Sequence, residues 1–93
     1  MVAFWTSFPV TSYITIFPNP ASEYIEVMFH SSCEVDGRIS ISDILGKEKY
    51  SQNVQVETGK NSYMIDIRKL SAGVYLLNFK EHDNSFTKKL IVR

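Results

Sequence analysis

Apolar and polar residues alternate one by one along most of the chain. The alternation is clearest in six runs, at residues 23–30, 37–41, 54–56, 63–67, 74–79 and 86–92. Successive side chains of a β-strand point to opposite faces, so this period of two predicts strands with one buried face. Turn residues separate the runs at intervals of about 8–12 residues, and no run has a helical period. The pattern predicts an all-β, antiparallel sandwich or barrel of about seven strands.

The apolar positions of these runs predict the hydrophobic core. Residues 74–77 are apolar at every position, which is typical of a central strand that has neighbours on both sides. We therefore expect Leu76 to be buried along with the regularly spaced apolar residues of the other runs. The predicted core consists of Ile25, Val27, Phe29, Ile39, Ile41, Ile65, Ile67, Leu76 and Leu90, with some of Tyr75, Leu77 and Phe79.

A Pro-Asn-Pro bend, Pro18-Asn19-Pro20, stands directly before the first of these runs. Each proline fixes φ and lacks an N–H, which excludes the bend from a helix or a central strand. The bend is therefore a turn or an extended linker, and we treat residues 1–12 as a linker or a stray edge segment ahead of a domain over residues 13–93. The alternative is that the prolines protect an edge strand from pairing.

Composition limits the partners of the chain. Ten basic residues balance ten acidic residues, so no net charge attracts nucleic acid or an anionic membrane surface. The 93 residues suffice for one domain, and the single cysteine, Cys33, excludes an internal disulfide. No apolar run reaches the roughly 18 residues of a transmembrane helix.

Residues that could support catalysis or bind a metal are few. His30 and Cys33 are three positions apart, a spacing that directs the two side chains to opposite faces of a strand, and no third group orients them. Glu34, Asp36 and Asp43 flank a turn but lack the regular ligand ladder of a calcium loop, so a calcium ion there stays an open alternative. We expect no enzymatic activity and no cofactor.

Four further stretches stand out by their order and spacing. They are IFPNPAS at residues 16–22, ISISDILGK at 39–47, IDI at 65–67 leading to LSAGVY at 70–75, and KKLIV at 88–92. In this arrangement residues 13–93 resemble the type A C-terminal sorting domain of the type IX secretion system. The predicted recognition residues, taken from these stretches, are Pro18, Asn19, Pro20, Gly46, Gly73, Tyr75, Lys88, Lys89 and Val92.

The resemblance implies an immunoglobulin-like β-sandwich that carries no catalytic activity. Such a domain follows an N-terminal cargo and directs it from the periplasm through an outer-membrane translocon of a Gram-negative bacterium. Residues 1–12 would then be a linker or the remnant of the cargo, and the Pro-Asn-Pro bend would be the border between cargo and sandwich. A sortase-like cysteine peptidase then usually removes the domain and anchors the cargo to surface lipopolysaccharide. The cargo would be secreted or attached to the cell surface. The family commonly has a proline at the position of Ser71 and a glycine within residues 82–85, so we expect looser turns here.

The final run is the part of the chain that we expect to be recognised. One of Lys88 and Lys89 should face solvent, and residues 86–93, as an edge strand, would offer free backbone groups to which a translocon could add a strand. The alternative role of the two lysines is to guard the edge against aggregation.

A second hypothesis for function is an immunoglobulin-like adhesion or carbohydrate-binding module, since a fold does not determine function. Its exposed aromatic platform would come from Trp5, Tyr24, Tyr50, Tyr63 or Tyr75. Aromatic residues of β-sandwiches mostly pack in the core or across strands. The positions of these rings therefore distinguish the two hypotheses.

Overall fold

Seven β-strands and their connections make up the described residues, 11–81 and 84–93, of the computed structural model. The strands are β1 (Thr11–Phe17), β2 (Tyr24–Ser31), β3 (Val35–Asp43), β4 (Glu48–Val56), β5 (Gly59–Asp66), β6 (Gly73–Glu81) and β7 (Asn84–Val92). They form two antiparallel sheets, with strand orders β1-β2-β5 and β4-β3-β6-β7. The predicted immunoglobulin-like sandwich is confirmed. No described residue belongs to a helix that could cross a membrane.

The core lies between the two sheets and contains the alternate residues of each strand. In β2, for example, Ile25, Val27 and Phe29 are buried, while Tyr24 and His30 at the ends of the same strand are exposed. The period of two in the sequence therefore corresponds to one face turned inward. All the predicted core residues are buried except Leu76.

The prediction for Leu76 is wrong, although β6 is the central strand that the sequence indicated. Its inward residues are Tyr75, Leu77 and Phe79, whereas Leu76 lies on the outer face and is 37% exposed. There it stands between Ser42 of β3 and Lys89 of β7. Because both faces of this part of β6 are apolar, alternation alone did not distinguish the inward face.

A strand precedes the Pro-Asn-Pro bend. Ile14 and Ile16 of β1 pair with Phe29 and Val27 of β2, and Ile14 is buried. The bend therefore connects two strands of the sandwich and does not precede the first one. The structure assigns Thr11 to β1, slightly before the predicted start at residue 13. Residues 1–10, with Trp5, lie outside the described residues.

The inward row of β6 ends in a charged residue, Glu81, which is only 1% exposed. Neither carboxylate oxygen has a hydrogen-bond partner among the described residues. Glu81 stands opposite Gly37 of β3 and Asn84 of β7. Burying a carboxylate without partners is unfavourable, so this end of the sandwich is less stable than an apolar equivalent would be.

Two alanine substitutions test the assignment of the inward face. Ile41→Ala should lower the free energy of unfolding by about 2–4 kcal/mol, because Ile41 is fully buried. Leu76→Ala removes a side chain on the outer face and should cost less than about 1 kcal/mol. Chemical denaturation of both variants measures the difference. Equal losses would show that the inward face of β6 has been assigned incorrectly.

Replacing Glu81 measures how much the buried carboxylate lowers the stability of the domain. Glu81→Met keeps the length of the side chain without a polar group, and we expect it to raise the free energy of unfolding by about 1–3 kcal/mol. Glu34→Met, at an exposed position, is the matched control and should change stability by less than about 0.5 kcal/mol. Thermal unfolding gives both values. A less stable Glu81→Met variant would mean that the carboxylate has a favourable partner.

Candidate recognition site

Turns and strand ends that carry the predicted motifs meet at one end of the sandwich. Ala21 forms a parallel bridge with Val92, Gly73 faces Val92 across the β6–β7 ladder, and Asp43 faces Tyr75. We call this end the motif pole and define it as residues 18–21, 43–47, 71–75 and 89–93. Of the predicted recognition residues it contains Pro18, Asn19, Pro20, Gly46, Gly73, Tyr75, Lys89 and Val92. Lys88 is adjacent to it on β7.

Asn19 connects the bend to the last strand through its side chain. Its Nδ2 donates a hydrogen bond of 2.8 Å to the carbonyl oxygen of Lys89, and its Oδ1 accepts one of 3.0 Å from the N–H of Ile91. The side-chain amide thus supplies one donor and one acceptor, as a peptide group of a neighbouring strand would. The peptide bonds that precede Pro18 and Pro20 are both cis.

The backbone of Ala21 continues this pairing. Its N–H donates to the carbonyl oxygen of Ile91 and its carbonyl oxygen accepts from the N–H of Arg93, both at 2.9 Å. Residues 19–21, which we call the strap, therefore cover the edge of β7 from Lys89 to the end of the chain. This corrects the expectation of a free edge along residues 86–93. The edge is covered because the chain leaves the three-stranded sheet after β1 and its next residues, the strap, pair with β7 of the four-stranded sheet.

Part of the β7 edge stays open. In an antiparallel strand, every second residue directs both its N–H and its C=O to the same side. In β7 the residues whose backbone groups point away from β6 are Thr87, Lys89 and Ile91. The strap takes the carbonyl oxygen of Lys89 and both groups of Ile91. Within residues 11–81 and 84–93, no partner reaches the backbone groups of Thr87 or the N–H of Lys89. We call residues 85–89 the open edge.

Tyr75 has a structural role in the pole. The Tyr75 hydroxyl donates a hydrogen bond of 2.7 Å to the carbonyl oxygen of Ser71, and the ring is buried. A tyrosine near the start of this strand that bonds to backbone a few residues upstream is the tyrosine corner of immunoglobulin-like domains. Val92 is also buried, so these motif residues build the pole and do not present a surface.

The turn at Gly46 presents two aliphatic side chains to solvent. Asp43 Oδ1 accepts hydrogen bonds from the N–H groups of Leu45 and Lys47, at 3.0 and 2.9 Å. Gly46 has a φ of 92°, which favours glycine. The turn holds Ile44 and Leu45 in position while they are 70% and 89% exposed. Sequence reasoning missed this pair, although an apolar pair inside a turn sequence was the available signal.

The carboxylates suggested for calcium do not converge. Asp36 lies near the start of β3 and Asp43 at its end, which separates them by about 23 Å of extended strand. Asp43 is engaged in the turn described above. Among the described residues no group of three or more histidine, cysteine or acidic side chains is placed to hold a metal. His30 is exposed on β2, and Cys33 is half-buried in the turn that follows.

The aromatic rings do not form an exposed platform in the part of the chain that is described. Tyr75 is buried and Tyr50 and Tyr63 are partly buried, while the exposed Tyr24 has the Arg68 guanidinium 5.2 Å from its ring centre. Arg68 also donates two side-chain hydrogen bonds to Asp66, which lower the pKa of that carboxyl to about 2. The observed rings therefore do not favour the carbohydrate-binding hypothesis.

Comparison with known proteins identifies the family. The model of the secretion system C-terminal sorting domain matches residues 15–93. The chain belongs to this family. The match includes the strap, the Gly46 turn, the tyrosine corner and all of β7, so the motif pole lies within the family region. No curated protein matches the chain.

Solved structures similar to the sorting domain share its fold. One is dimeric latent PorU from Porphyromonas gingivalis, with a TM-score of 0.72 and 20% identity over 85% of this chain. Another is a β-glucosidase from Erythrobacter marinus, with a TM-score of 0.58 and 8% identity over 89% of this chain. The chain spans only 9% and 15% of these two proteins. At these identities the likeness concerns the sandwich alone.

Removing the strap's side-chain bonds should weaken the domain. Asn19→Ala loses both hydrogen bonds to β7 and should lower the free energy of unfolding by about 1–3 kcal/mol. Asn19→Asp keeps an acceptor for Ile91 but cannot donate to Lys89, so it should also destabilise. Asn53→Ala, at an exposed position of β4, should cost less than about 0.5 kcal/mol. Thermal unfolding that does not separate Asn19→Ala from this control would refute the structural role of Asn19.

Proposed function

We propose that this domain is the C-terminal signal by which the type IX secretion system exports an N-terminal cargo through the outer membrane. The observation that carries the proposal is the family match over residues 15–93. The convergence of the family-like motifs at one end of a folded sandwich supports it. The domain acts as a recognition module, and the chemistry of the exported protein belongs to the cargo.

The proposed partners are an outer-membrane translocon and a sortase-like cysteine peptidase. The peptidase removes the domain and attaches the cargo to surface lipopolysaccharide. We place the cut before β1, because Ile14 is buried in the sandwich and pairs with Phe29 of β2. A cut after β1 would leave a core strand on the cargo. Release before β1 leaves the sandwich intact.

The residues of the motif pole divide into those that build it and those that a translocon can contact. Tyr75, Val92 and Ala21 are buried, so they act through the fold. Ile44 and Leu45 are exposed and held by the Asp43 turn, and the Lys89 side chain is exposed beside the strap. Two adjacent aliphatic side chains that a turn holds exposed can bury apolar surface against a partner. We propose that Leu45 and Lys89 contact the secretion machinery.

Export of a reporter tests the function. A reporter with a Sec signal, fused in front of the 93-residue chain, should reach the surface of a type IX-competent host and lose the domain by proteolysis. Leu45→Ser and Lys89→Ala should each reduce surface display by about fivefold or more, the effect of about 1 kcal/mol of lost binding free energy. Both residues are exposed, so the melting temperature should stay near that of the wild type.

Two control variants accompany this experiment. Lys80→Ala changes an exposed lysine of β6 away from the pole and should leave export unchanged. Deletion of residues 88–93 removes the buried Leu90 and Val92, so that fusion should stay in the periplasm. An intact fusion that stays periplasmic in a host exporting its own cargo would contradict the proposed function.

A further inference from the structure

The open edge of β7 lies beside the edge of β1, and a shallow seam separates the two strands. The seam has a volume of about 240 Å³ and is lined by Ile14, Thr15, Ile16, Asn19, Lys88 and Lys89. The strap bounds it on the side of the motif pole. β1 and β7 belong to different sheets, so no ladder between them closes the seam.

Backbone groups at the seam are available for pairing. The N–H and C=O of Thr87 and the N–H of Lys89 point away from β6, and no described residue bonds to them. An extended peptide aligned with residues 85–89 can form the hydrogen bonds that the strap forms further along β7. It would extend the four-stranded sheet, as in recognition by strand addition.

The side chains around the seam define the chemistry of its occupant. Ile14 is buried and Ile16 partly buried, which suits apolar residues on the inner face of an added strand. Lys88 and Lys89 are exposed, and no acidic group of the described residues lies within salt-bridge distance of either. Lys89 lies on the outer face opposite Leu76 and Lys88 on the face of the buried Leu90, so the cation on the outer face favours a peptide that carries its carboxylates there.

The same charges disfavour a second copy of this chain. Edge-to-edge pairing of two β7 strands would bring the lysines of one copy close to those of the other, and like charges on adjacent strands are destabilising. Lysine on an edge strand is a common protection against such pairing. The lysines can therefore both guard the edge and bind a partner. They repel the lysines of a second copy, whereas they attract the carboxylates of an acidic peptide.

We propose that the open edge is the binding site for an extended acidic segment of a partner protein, which pairs with Thr87 and places its carboxylates on the outer face beside Lys89. This binding site deepens the proposed function. It rests on that function only in one respect, namely that the acidic segment belongs to a component of the secretion machinery. Binding itself is a property of the isolated domain and is measured separately from export.

A synthetic peptide provides the direct test. The acetylated and amidated peptide TVEVEVT alternates apolar and acidic residues, and its titration into the ¹⁵N-labelled 93-residue protein is followed by NMR. We expect amide shifts confined to residues 85–89 and the facing part of β1. The lysine counterpart, TVKVKVT, should bind at least about tenfold more weakly. The acidic peptide with N-methylated valines lacks half its donors and should bind as weakly as the lysine peptide.

Variants of the protein separate the backbone contribution from that of charge. Thr87→Pro removes an N–H that faces the open side, and proline is tolerated at such an edge position. It should fold normally and lose peptide binding. Lys89→Glu should also abolish binding, whereas Lys80→Glu, the same charge change elsewhere, should leave it intact. If Thr87→Pro does not fold, the N-methylated peptide still tests the role of the backbone.

Several results would overturn the proposal. They are equal binding of the acidic, lysine and N-methylated peptides, shifts located at Ile44 and Leu45 instead of the open edge, or sedimentation showing that the domain alone dimerises through β7. Peptide binding without export of the reporter would contradict the proposed function and leave the binding site standing. Export without peptide binding would contradict only the binding site.

Discussion

The hydrogen bonds between the strap and β7 hold the two sheets together at the motif pole. β1 belongs to one sheet and β7 to the other, and the strap is where the chain passes between them. Asn19 and Ala21 reach Lys89, Ile91 and Arg93, about 70 residues further along the chain. The last residues of the chain are thus part of the closure of the fold. Residues 89–93 of the sorting domain are for this reason a structural element.

This dual role explains why the motif stretches contain both buried and exposed residues. Tyr75 and Val92 are buried and determine the shape of the pole, while Leu45 and Lys89 project from it. Loss of a buried motif residue would disturb recognition by altering the fold. Under the proposed function, loss of an exposed one would disturb recognition by removing a contact. Export measurements on this family therefore need a stability measurement for each variant.

The sequence predicted the fold well and the interactions at the pole poorly. Regular alternation identified six of the strands because each buries a single face. β1 was missed because its residues follow an irregular aromatic stretch and precede a bend that suggested a border. Leu76 was misplaced because both faces of its strand are apolar. The hydrogen bonds of Asn19 join residues distant in the chain, so no local pattern indicated them.

The central claim is that the strap covers one half of the β7 edge and leaves the other half open. Native-state hydrogen exchange of the wild-type domain, followed by NMR, tests it most directly. The Ile91 amide, which donates to Asn19 Oδ1, should exchange slowly along with the amides that pair with β6. The Thr87 amide, which points away from β6 and has no partner among residues 11–81 and 84–93, should exchange rapidly. Rapid exchange at Ile91, or protection at Thr87 equal to that at Ile91, would contradict the half-covered edge.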